Sequence, residues 1–75
     1  MDNWLKRRAD SLSAASGIDG VAFELSDADA RTLLELAKTA AHESGDRTNA
    51  PLLCYLVGVA RANGHSLDEL ADEIR

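Results

Sequence analysis

Apolar residues recur along this chain at three- and four-residue intervals in four separate stretches, the spacing of one face of an α-helix. Trp4, Leu5, Ala9, Leu12 and Ala15 trace the first and predict a helix over about residues 3–15. Gly17 follows as a left-handed stop, with Ile18 placed to fold back on Leu12. Leu33, Leu34, Leu36, Ala37, Ala40 and Ala41 form a second, wider face over residues 27–44. Ser26 caps that helix, and Asp27 and Asp29 fall in its first turn, where the positive end of the helix dipole favours acids. Arg31 and Glu35 are spaced for an exposed ion pair. Gly45 ends the run, and "DRTNAP" turns the corner into a third helix over residues 50–63. Thr48 or Asn49 caps it, and Pro51 sits in its first turn, where a missing N–H costs nothing. A fourth helix, over residues 67–75, opens on a capping box of Ser66 and Glu69 and carries Leu67, Leu70, Ala71 and Ile74 as its buried stripe.

Between the first two helices, "IDGVAFEL" alternates instead: Val21, Phe23 and Leu25 are separated by Ala22 and Glu24. A lone strand would have no partner, so the segment is expected to be an extended linker laying Val21 and Phe23 over the core. The third helix differs in another way. "APLLCYLVGVARANG" is apolar almost all round, which predicts a rod enclosed by its neighbours. Gly58 lies in its middle, where glycine costs about 1 kcal/mol relative to alanine, so a close backbone approach is expected there. Cys54 on the same rod has no cationic neighbour to activate it and reads as a buried, inert thiol.

Bulk properties narrow the function classes. At 75 residues there is room for one thin core and little for a deep cleft. One cysteine excludes a disulfide framework, and no Cys/His pair has zinc-ligand spacing, so neither metal nor cofactor is expected. The first residues carry scattered charges and no apolar signal core, and the longest apolar stretch is too short to span a bilayer and is interrupted by Arg61. A cytoplasmic location follows by default. The net charge of −5 is uneven: residues 17–30 carry −4 and residues 65–75 carry −3, while Lys6, Arg7 and Arg8 make the one basic cluster. Nucleic-acid binding needs a broader basic face than that.

Few residues invite a chemical role. Trp4 and Tyr55 are amphipathic aromatics suited to the rim of a core or to a partner groove. His42 and Arg47 bracket the corner ahead of the third helix, whose free amides and dipole could hold an anion or nucleotide. The plainer reading pairs Arg47 with Glu43 or Asp46 and His42 with a backbone carbonyl. Asp68, Glu69, Asp72 and Glu73 make the fourth helix acidic outside; they fit a solvated face or a basic partner. "GHSLDELADEI" has the look of part of a DNA-binding helix-turn-helix, but its acids would repel phosphate. No nucleophilic triad and no phosphate-cradling loop occurs, so no enzyme is expected.

Ala41-His42, Arg47, Ala50-Pro51-Leu52, Tyr55-Leu56 and Gly58, together with "NWLKRRADSLSAASGID", form a recognisable pattern. It resembles a small uncharacterised actinobacterial all-helical domain family that occurs alone or appended to molybdenum cofactor guanylyltransferase. No segment resembles the nucleotidyltransferase itself, so the resemblance implies an accessory role beside that enzyme. The combined expectation is an all-α, compact four-helix single domain, residues 1–75, with a central apolar third helix. It would act as a non-enzymatic interaction domain with a protein partner, no nucleic acid and no membrane, and with an apolar edge that a second copy could cover in a homodimer.

Overall fold

In the computed structural model, which describes residues 2–75, every regular element is helical. The order is α1 (Asn3–Ser16), a 3-10 turn (Gly20–Phe23), α2 (Asp27–Ser44), α3 (Asn49–Ala62) and α4 (Leu67–Ile74). The four helices match the expected spans to within a residue at most ends, because strong local signals set those ends. Asp2 accepts from the Leu5 amide at 2.7 Å and starts α1; Ser26 accepts from Asp29 at 3.0 Å and starts α2. The capping box of α4 is complete: Glu69 N–H donates to Ser66 Oγ at 3.2 Å and Ser66 N–H returns to Glu69 Oε1 at 3.0 Å. Gly17 ends α1 at φ 74°, with its N–H on the Ser13 carbonyl.

The chain divides into two contact units, one ending at Ala30 and the other running Arg31–Arg75. In the first, α1 packs against the 3-10 turn. The extended linker expected here is corrected by local hydrogen bonding: Asp19 Oδ1 accepts from the Val21 amide at 3.0 Å and nucleates a turn over Gly20–Phe23. Ser13 Oγ donates to the Ile18 carbonyl at 2.6 Å and ties the turn back to α1. Of the apolar positions that predicted α1, Ala9 is half-buried, while Trp4, Leu5 and Leu12 are 58%, 40% and 56% exposed.

The second unit holds the buried core. Leu36 of α2, Val57 of α3, and Leu67 and Ala71 of α4 are buried together, with Leu33, Leu53, Leu70 and Ile74 packed around them. Leu36, at 1% exposure, is the largest fully buried side chain. Across the rim, Arg75 reaches Glu35 of α2 at 3.8 Å and Asp72 of its own helix at 3.4 Å. These ion pairs are exposed and contribute little beside the core. Glu35 therefore pairs with Arg75 rather than with the Arg31 one turn before it.

The enclosure expected for the third helix is one-sided. Its Val57 is buried and its Leu53, Cys54 and Ala60 half-buried, but Leu52, Tyr55, Leu56 and Val59 are exposed. Leu34 of α2, expected on that helix's inward face, is 70% exposed. Within this unit α2 and α4 pack on one side of α3, and neither covers the other. Nor does any backbone press on Gly58: a Cβ built there would meet nothing within 4 Å. The expected close approach is absent, and the glycine is a cost to the helix with no packing return. Gly58→Ala is accordingly expected to raise unfolding free energy by about 1 kcal/mol; chemical denaturation of the two proteins measures it, and a loss of stability would reveal a neighbour at that position.

Candidate functional site

The open side of α3 carries Leu52, Tyr55, Leu56 and Val59 at i, i+3, i+4 and i+7, so the four side chains stand in one stripe. Their exposures are 60%, 72%, 62% and 46%. Positions 50, 53, 57 and 60 form a second, inward stripe on the same helix. One helix thus presents two apolar faces, and only one of them meets the core.

Beside the open stripe lies a recess of about 410 Å³, formed where the C-terminal ends of α2 and α4 flank the first turns of α3. Leu52, Leu53, Leu56 and Ile74 make it apolar, and Glu43 and Glu73 stand on its margin. Neither carboxylate has an ion-pair partner among the described residues. This pairing of exposed leucines with acids was missed in the sequence reading. The signal was present in the doubled stripe of α3, but the same residues also fit a helix surrounded on all sides.

The corner between α2 and α3 is built differently from an anion site. Asp46 Oδ1 accepts from the Thr48 amide at 2.9 Å and from the Thr48 hydroxyl at 2.7 Å. The amides of Asn49 and Ala50 donate to the carbonyls of Asp46 and Arg47. The start of α3 is therefore occupied by the chain's own carboxylate, and Thr48, at the cap position, makes no side-chain cap bond of its own. Hydrogen bonds from the Thr48 hydroxyl first, and from its amide second, hold the Asp46 carboxyl below its ordinary range.

His42 is exposed and lines a second open recess of about 540 Å³ with Glu35, Leu36, Thr39, Glu43 and Arg75. Arg47 is exposed, lines none of the recesses described here, and makes no ion pair with Glu43 or Asp46 among the described residues. The two residues proposed to act as a pair thus face separate surroundings. Trp4 is exposed with the Arg8 guanidinium 5.6 Å from its ring centroid, a cation–π geometry. Pro51 occupies the first turn of α3, as its missing N–H requires. Cys54 is half-buried rather than sealed; its Sγ–H points to the Leu33 carbonyl at 3.9 Å, and burial pushes its thiol pKa up. His65 joins the α4 cap, with Nδ1 3.0 Å from Glu69 Oε1. Among the described residues no cluster of His, Cys, Asp and Glu could hold a metal ion, and no helix is long and apolar enough to cross a membrane.

Two titrations check this geometry. Because the folded-state pKa of Asp46 is depressed, its contribution to stability is full above the ordinary value of 3.8 and is lost as pH falls through the folded value. Carboxyl chemical shifts should therefore report an Asp46 midpoint below 3.8, moving back up in Thr48→Val, which keeps the side chain's shape without the hydroxyl. An unmoved midpoint would assign the shift elsewhere. For Cys54 the sign is opposite: the folded state disfavours the thiolate, so disulfide-reagent labelling should rise with pH along a curve centred above the ordinary 9.0. Labelling at the rate of a free thiol near neutral pH would contradict the half-buried site.

Comparison with known proteins yields one positive result. No curated protein and no solved structure matches the chain. A family model described as "Domain of unknown function (DUF6457)" matches residues 1–75, which agrees with the expectation of an uncharacterised domain family. With its whole length covered, this chain belongs to the DUF6457 family.

Proposed function

We propose that this chain is a non-enzymatic interaction domain, acting in the bacterial cytoplasm beside a molybdenum cofactor guanylyltransferase. The observation that carries the reading is the exposed stripe of Leu52, Tyr55, Leu56 and Val59 on α3. Contiguous apolar surface of this kind on a small domain marks contact with another molecule more often than chance exposure does. Tyrosine is among the residues that anchor such contacts, because its ring buries well while its hydroxyl keeps a polar partner. Three residues of the pattern that resembles the guanylyltransferase-associated family, Leu52, Tyr55 and Leu56, lie on this open face. A motif used only for packing would be expected on the buried side, at Leu53 and Val57.

An anion- or nucleotide-binding role at His42 and Arg47 has less support, since Asp46 already takes the hydrogen bonds that a bound anion would need. A helix-turn-helix role meets the acids of α4, which are exposed and would face phosphate.

Isothermal titration of the domain into the guanylyltransferase tests the proposal. Binding is expected, weakened about tenfold to thirtyfold by Tyr55→Ala, on the order of 1.4–2 kcal/mol. Absence of any heat of binding would remove the guanylyltransferase from consideration, and an unchanged affinity in Tyr55→Ala would move the contact off α3.

A further inference from the structure

We infer that the acidic-rimmed apolar recess beside α3 receives helix α1 of a second copy of this chain. The inference rests on the reading of the α3 face as an interaction surface and names its occupant.

The recess asks for a particular ligand. Leu52 and Leu56, 60% and 62% exposed, line it, and Glu43 and Glu73 line it too, neither in an ion pair among the described residues. Its complement is a helix with large apolar side chains on one face and basic groups next to them, the helix-in-groove mode of recognition.

The chain carries such a helix. Trp4, Arg8 and Leu12 recur every four residues along one side of α1, with Leu5 and Arg7 beside them. The 3-10 turn occupies the other side of α1, around Ala9, Asp10 and Ser13. What remains open is an apolar and cationic face, with Trp4 at 58% and Leu12 at 56% exposure. Lys6, Arg7 and Arg8 are the chain's one run of basic residues. An overall charge of −5 would set two copies against each other unless a basic segment of one met an acidic margin of the other. Each copy offers both a recess and a helix, so in a two-fold dimer the same contact is made twice.

Charge reversal in separate copies tests this. Sedimentation equilibrium from micromolar to millimolar concentration should show a monomer–dimer equilibrium for the unaltered chain. Glu43→Lys with Glu73→Lys should weaken it about tenfold or more, and so should Arg7→Glu with Arg8→Glu. All four positions are exposed, so circular dichroism should show the helices unchanged. Mixing the two charge-reversed proteins should restore association as a heterodimer, since the basic recess of one then meets the acidic helix of the other, and the native helix meets the native recess. A monomer at every concentration overturns the inference, as does a dimer that ignores both reversals. If the chain stays monomeric yet binds the guanylyltransferase in a Tyr55-dependent way, the α3 interaction surface stands and its occupancy by a second copy falls.

Discussion

Everything ordered in the C-terminal unit depends on one contact set: Leu36 of α2 against Val57 of α3 and the Leu67 and Ala71 of α4. Four buried side chains are a thin core. Removing Leu36 alone would leave a cavity at its centre, and buried leucine truncations cost on the order of 2–5 kcal/mol, a large share of what a domain of this size has to lose. Ala71 is as important for what it lacks. At 0% exposure it lets α4 approach closely, and the short helix can then place Leu67 beneath α3 and Ile74 at the edge of the recess.

That thinness explains the surface. A helix of fourteen residues with apolar groups on both sides needs neighbours on both sides. Within this unit only α2 and α4 are available, and their inward faces are spent on Leu53 and Val57. The stripe at Leu52, Tyr55, Leu56 and Val59 is left to solvent, and it borders the recess that Glu43 and Glu73 overlook. The same shortage of core leaves an apolar surface open. The proposal built on that surface rests on this packing, whereas one built on the His42 and Arg47 corner has to displace an aspartate already bonded in place.

Family membership brings neither a reaction nor a partner to this surface. The DUF6457 match covers the chain from end to end. The motifs that had suggested an uncharacterised helical family fall on both sides of α3: Pro51 serves the helix start, while Tyr55 and Leu56 face outward. The helix start and the open apolar stripe thus share one fifteen-residue stretch, which is why that stretch reads as structural when seen only as a string.

Local chemistry was legible in the sequence at most helix ends. Ser26, the Ser66–Glu69 box, Gly17 and Pro51 act through hydrogen bonds or torsions within a few residues, so each could be placed, and the helix ends came out accordingly. Periodicity likewise located the core residues Leu36, Leu67 and Ala71 on their helices. The turn at Gly20–Phe23 was hidden because alternating Val21, Phe23 and Leu25 outweighed the single Asp19 that bends the backbone. Which face of α3 is buried could not be read at all, since a doubled stripe looks identical whether one or both sides are covered. Only the tertiary structure decided that, because burial depends on how many neighbours can reach a helix, and no spacing along the chain encodes the count.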